Sequence, residues 1–182
     1  MTRDKWWVIR EWGREYSVSI ESKKILTSIV LVPYQEEHSE ELARIKNTDE
    51  VRKTYLNRKT TPDKLHKEHT LDMKRKKDPY VFYTVMLDNK IIGELSIHLA
   101  YEFKECYLAY YLDPSVYGKG YGTILISQAI EICKKYKEMN SILAHVIVEN
   151  IGSSRILEKN GFKLIKESNK PRKMYTYEYK LK

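Results

Sequence analysis

Cysteine is scarce: Cys106 and Cys133 are the only two in 182 residues, each inside an apolar stretch. Two buried thiols in a chain this long exclude a disulfide scaffold, and without a Cys/His quartet no zinc site is expected. No apolar run approaches the roughly 18 residues that a membrane helix needs. The opening Met-Thr-Arg-Asp-Lys-Trp-Trp lacks the hydrophobic stretch of a signal segment. These absences predict a soluble, cytoplasmic chain with no membrane partner and no metal. Internal repeats and low-complexity linkers are missing too, which favours one domain with a real core. The glycines form neither a dinucleotide fingerprint, whose third gap is missing, nor a P-loop, which needs a closing Gly-Lys-Ser/Thr.

Charge is not scarce. The 33 Lys and Arg outnumber the 25 Asp and Glu, for a net +8, so anionic partners are favoured: nucleic acid, an acidic membrane surface or a polyphosphate cofactor. Apart from Lys74-Arg75-Lys76-Lys77 and a looser set from Lys163 to Lys173, the charges are dispersed. Dispersed charge reads as a solvated surface rather than a nucleic-acid track, and no nucleic-acid partner is expected.

The stretch from Asp113 to Lys134 organises the chain. Asp113-Pro114 ends a Tyr- and Leu-rich strand, Gly118, Gly120 and Gly122 alternate, and an apolar helix follows without a break. Alternating glycines let several backbone N–H groups turn inward, with no Cβ to obstruct an oxyanion. The positive end of the helix adds to the attraction. The physical reading is a main-chain pyrophosphate cradle; spacing alone leaves a plain flexible turn open.

In chain order, Trp6, Trp7 and Trp12 lie in a charged N-terminal extension over 1–24, suited to packing on the domain or on a partner subunit. Within it 16–20 alternates weakly as a short strand. A β run from Ile25 to Tyr34 is ended by Pro33, and Glu36 to Lys46 fits a short helix with an acidic first turn. Residues 47–61 read as irregular. Thr61-Pro62-Asp63 then caps a helix reaching about Lys76, with Leu65, His69 and Met73 on one stripe. His66 and His69, three apart on that helix, read as solvated side chains rather than a metal pair. Strands are expected over 80–87 and 90–99, joined by the tight-turn pair Asp88-Asn89, and over 104–112. A helix over 123–136, a strand over 141–148, a helix over 150–160 closed by Gly161, and strands over 162–165 and 174–181 complete the chain.

Three motifs now stand in order: Tyr110-Tyr111-Leu112-Asp113-Pro114, the glycine loop, and Asn150-Ile151-Gly152-Ser153-Ser154 followed by Leu157-Glu158-Lys159-Asn160-Gly161-Phe162. Together they resemble the GNAT superfamily of acyl-CoA-dependent N-acetyltransferases, and within it the branch containing the ribosomal-protein-alanine acetyltransferases. The likeness extends loosely back to Ile25, which makes 25–182 the domain. It implies an α/β (α+β) fold: a mixed, mostly antiparallel sheet with a splayed parallel strand pair and helices on both faces. It also implies acetyl-CoA as cosubstrate. The pantetheine arm would run along Tyr110, Tyr111 and Leu112, and the pyrophosphate would rest on Tyr117, Gly118, Lys119, Gly120, Tyr121 and Gly122. Asn150 and Ser153 would face the arm and thioester. Tyr117 departs from the pattern, which has Arg or Gln two residues before Lys119.

Amide formation from a thioester needs an unprotonated amine, an oxyanion stabiliser and a route for the leaving thiolate. His145, on the strand beside the splay where relatives carry glutamate, is the first candidate base. Glu94 and Glu105 compete, although each also reads as an ordinary exposed carboxylate. Relatives supply a tyrosine as proton donor in the short helix after the Asn motif; here that position is Leu157. Ser153 is the substitute, unless it merely caps the helix. The sequence thus points to an acetyltransferase acting on a primary amine, a protein N-terminus or a small molecule. A non-catalytic acyl-CoA-binding module is the alternative. Whether the chain is a homodimer is left open.

Overall fold

A computed structural model describes residues 8–11, 14–17, 28–55, 59–169 and 172–182. Two short strands, β1 (Val8–Glu11) and β2 (Arg14–Ser17), form an antiparallel hairpin. The strand expected over 16–20 is therefore placed earlier, and 18–20 lie outside the described residues, as do Trp6, Trp7 and Trp12.

The remaining strands build one seven-stranded sheet in the order β3-β4-β5-β6-β7-β9-β8. They are β3 (Val30–Pro33), β4 (Tyr80–Leu87), β5 (Lys90–Ala100), β6 (Glu105–Leu112), β7 (Ser141–Ile147), β8 (Lys163–Ser168) and β9 (Met174–Lys180). Every neighbouring pair is antiparallel except β6 with β7. Proline lacks the ladder N–H, and Pro33 is the last residue of β3; 25–27 of the expected longer strand lie outside the described residues. The β4–β5 turn falls on Asp88 and Asn89, whose φ values of 48° and 62° are those a tight two-residue hairpin requires.

Among the described residues five helices flank the sheet: α1 (Ser39–Lys46), α2 (Asp49–Tyr55), α3 (Pro62–Met73), α4 (Tyr121–Cys133) and α5 (Ile151–Lys159). Period-two alternation sends Leu95, Ile97, Cys106, Leu108, Ile142, Ala144 and Val146 to one face, where they pack with Leu125, Ile126, Ala129 and Leu157 of α4 and α5. Phe82 and Tyr111 point to the other face, against Leu42, Ile45, Val51 and Leu65 of α1 to α3. The helix α2 corrects the irregular reading of 47–61. Its charged segment has one aliphatic residue, Val51, and that residue is buried. At α3 the Thr61 hydroxyl accepts from the Lys64 N–H at 3.3 Å, the cap that the sequence announces.

Candidate active site

The sheet opens where its one parallel pair stops. Pairing runs from Glu105↔Ser141 to Leu108↔Ala144 and no further, yet β6 stays bonded to β5 as far as Leu112, and β7 to β9 as far as Ile147. Each strand keeps its outer partner and loses its inner one, which leaves a wedge with Tyr110, Tyr111 and Leu112 on one wall. A cavity of about 450 Å³ occupies it, reaching from Thr54 of α2 to the glycine loop and Lys159.

The glycine loop follows β6 directly. Asp113 Oδ1 accepts from the Ser115 N–H at 2.9 Å and turns the chain into a single 3-10 turn, Pro114–Val116. Gly118 and Gly120 have φ of 74° and 86°, and a Cβ at either would meet nothing within 4 Å. Gly122 differs: a Cβ there would lie 2.6 Å from Ile156 Cδ1, so this glycine serves close packing of α4 on α5. Among the described residues no carbonyl accepts the N–H groups of Gly118, Lys119, Gly120, Tyr121 or Gly122. Five successive donors at a helix start, beside a cavity, suit a doubly charged phosphate linker. Tyr117, Gly118, Gly120, Tyr121 and Gly122 line the cavity, whereas the Lys119 ammonium turns away to the Ser115 carbonyl at 2.9 Å.

At the throat, Asn150 Oδ1 accepts from the Ser153 N–H at 3.1 Å, so Asn150 caps α5. This corrects the reading of Ser153 as the cap. Its hydroxyl is instead bonded to the Tyr110 hydroxyl at 2.8 Å, inside the cavity. Leu157, where a proton-donating tyrosine is expected in relatives, is 0% exposed in the core.

The three candidate bases part company. His145 lies one residue past the last β6–β7 pair and lines the cavity. Its Nδ1 is 3.1 Å from the Thr176 hydroxyl, and desolvation of the ring, aided by the Lys166 charge, holds it below the ordinary imidazole pKa. Glu105 sits at the closed end of the strand pair, opposite Ser141, and accepts from the Tyr107 hydroxyl at 2.7 Å. Glu94 is 2% exposed and its Oε2 lies 2.6 Å from His69 Nε2. This corrects two expectations at once, since neither Glu94 nor His69 is solvated. His66 pairs separately, its Nδ1 3.1 Å from the Tyr34 hydroxyl. No carboxylate lines the cavity among the described residues.

Two features escape the sequence reading. Thr54 arrives on the unanticipated α2. The Tyr110 side chain, as distinct from its backbone, is signalled only by the β6 alternation that sends it to the same face as α5.

A family model described as "Acetyltransferase (GNAT) domain" matches residues 28–163. No curated protein sequence matches the chain. Among solved structures, the spermidine N-acetyltransferase of Vibrio cholerae, in complex with CoA and spermine, superposes with a TM-score of 0.74 at 15% identity, over 85% of this chain and 96% of that one. An acetyl transferase of Salmonella typhimurium that modifies the N-terminal serine of a 50S ribosomal subunit protein gives 0.73 at 18% identity, over 86% and 97%. An aminoglycoside acetyltransferase in complex with coenzyme A gives 0.72 at 19% identity, over 84% and 95%. At such identities the likeness establishes the fold.

Proposed function

The chain belongs to the GNAT acetyltransferase family, and from that premise we propose that it transfers an acetyl group from acetyl-CoA directly to a primary amine. The acceptor is a protein N-terminus or a small-molecule amine; the Asn-x-x-Ser motif supports the ribosomal-protein-alanine branch. The observation that carries the reading is the wedge cavity, with five unpaired N–H groups at one end and His145 and Ser153 at its throat.

The N–H groups of 118–122 take the pyrophosphate, and the inner edges of β6 and β7, free of each other, take the amide-bearing arm. That arm brings the thioester to the throat. With Nδ1 engaged by Thr176, Nε2 of His145 is the nitrogen left to receive the proton that the attacking neutral amine sheds as the C–N bond forms, directly or through water. A lowered pKa keeps the imidazole neutral near pH 7, as a base must be. Holding amine and thioester together supplies much of the remaining acceleration. Ser153 offers a hydroxyl to the departing sulfur.

Incubation with acetyl-CoA and a panel of amines and N-terminal peptides, following free thiol, tests the proposal. Turnover with at least one acceptor is expected. Tight CoA binding with no turnover across the panel would support the non-catalytic module instead.

A further inference from the structure

The hydrogen bond between Tyr110 and Ser153 spans the wedge. Tyr110 belongs to β6 and Ser153 to α5, which follows β7, so this hydrogen bond of 2.8 Å joins the two walls. A serine hydroxyl is a rotor with one proton and two lone pairs, and unconstrained it points its proton in several directions. Here the Ser153 backbone N–H is committed to Asn150, and the hydroxyl has Tyr110 as its partner among the described residues. Either hydroxyl could donate in this bond; a phenol is the stronger acid of the two, which favours the arrangement in which it donates and the serine oxygen accepts. Burial pushes the Tyr110 hydroxyl up to about 12, which keeps it protonated, and so able to donate, through the neutral range. In that arrangement the Ser153 proton is free of Tyr110, on a residue that lines the cavity.

We propose that Tyr110 is a positioning residue for acyl transfer, its hydroxyl fixing the Ser153 rotor so that the serine proton points at the sulfur of the thioester. The proposal rests on the reading of Ser153 given above. As the amine attacks, the C–N bond forms and the amine proton passes to His145. The C–S bond then breaks and its electron pair stays on sulfur. The resulting thiolate has a parent thiol pKa of about 8.5, well below that of either hydroxyl, so neither hydroxyl surrenders its proton. Ser153 donates a charge-assisted hydrogen bond to the sulfur, and the thiolate takes its proton from solvent on release. Tyr110 acts only through the serine.

Two measurements on the full chain test this: steady-state kinetics, and an ultraviolet thiolate titration of bound CoA that needs no acceptor. Tyr110→Phe, which keeps the ring, is expected to lower kcat about ten-fold, the worth of one oriented hydrogen bond. The KM for acetyl-CoA should stay within about two-fold, and the bound thiol should titrate about one unit higher than in the wild type. Ser153→Ala should do the same, and the double variant should be no worse than either single one. If Ser153→Ala is impaired while Tyr110→Phe matches the wild type in kcat and thiol titration, Ser153 works unaided and the proposal fails alone. A rise in the Kd for CoA with kcat unchanged in Tyr110→Phe would make the bond a structural tie and overturn it equally. Wild-type titration in both single variants, or no CoA binding by the wild type, removes the proposal together with the role given to Ser153.

Discussion

His69 Nε2 lies 2.6 Å from Glu94 Oε2, and the two residues are 3% and 2% exposed. The His69 ring stacks on Phe82 at 3.9 Å between centroids and meets Tyr34 edge-on at 4.7 Å. The pair therefore joins α3 to the centre of the sheet under an aromatic cover, and neither residue lines the cavity. Removing one partner strands the other without water, at a cost of about 3–5 kcal/mol. His69→Leu is expected to lose stability on that scale in urea melts. Glu94→Gln, which keeps a hydrogen-bonding oxygen and nitrogen, should lose less and retain turnover within about ten-fold at a temperature where it stays folded. A far larger kinetic loss would make Glu94 the base and displace His145.

The His145 assignment predicts a pH profile with a definite sign. Its pKa lies below the ordinary imidazole value because of desolvation and the Lys166 charge. The rate should therefore rise with pH through a value below that of an ordinary imidazole. His145→Ala should reduce kcat/KM by about a hundred-fold or more and abolish this limb. Lys166→Met removes a cation that disfavours the protonated ring, so the limb should move to higher pH. A limb that survives in His145→Ala would assign it to another group.

The sequence carried the local features at the edge of the wedge, whereas the splay itself was expected from the family resemblance. Pro114 stops β6, positive-φ glycines shape the loop, and α5 starts at Asn150; each is a local backbone feature. What it concealed was tertiary. His69 shares a helical stripe with Leu65, which is fully buried, and Met73, which is 39% exposed. Where the stripe dives under depends on the partner strand, and Glu94 lies on β5, 25 residues away. The helix α2 was hidden for a related reason, since Asp-Glu-Val-Arg-Lys-Thr-Tyr has too few apolar positions to show a period.

Gly120 and Gly122, two residues apart, should fail differently. Gly120→Val meets no neighbour but takes φ of 86°, which costs about 1–2 kcal/mol and puts bulk where the phosphate must approach. CoA binding is expected to fall below detection by calorimetry while the fold survives. Gly122→Val drives its side chain into Ile156, so thermal stability should fall with it. Wild-type CoA affinity in folded Gly120→Val would remove the cradle.

The cavity also bears on the acceptor. Glu41 is held by Arg44 at 2.7 Å, Glu36 lies 3.6 Å from His66, and Glu36, Glu37, Glu40 and Glu41 are all absent from the cavity lining. A polycation such as spermidine would find no carboxylate among the described lining residues to offset its charge. In an amine screen at low salt, spermidine is expected to give a kcat/KM at least about ten-fold below that of the best monoamine or peptide N-terminus. Spermidine as the preferred acceptor would place an acidic subsite elsewhere.

Arg44 of α1 reaches the Asp113 carboxylate at the end of β6, while Glu41 holds the same guanidinium from within the helix. Helix α1 is thereby tied to the first turn of the glycine loop. Burial alone would raise the Asp113 pKa, but the Ser115 bonds and the Arg44 charge outweigh it and hold the carboxyl below its usual range. A carboxyl depressed in the native state contributes stability that is present in full above its unfolded value, near 3.9. That contribution is lost as pH falls through the lower native value. Asp113→Asn should therefore lower the unfolding free energy from urea melts at pH 7 by about 1 kcal/mol, in keeping with the loss of a cap, and flatten the acid side of the midpoint-against-pH curve below about pH 4. Arg44→Gln should weaken the same curve less, because the guanidinium is half exposed and screened. An Asp113→Asn curve parallel to the wild type down to pH 3 would mean that the carboxylate titrates without any native partner.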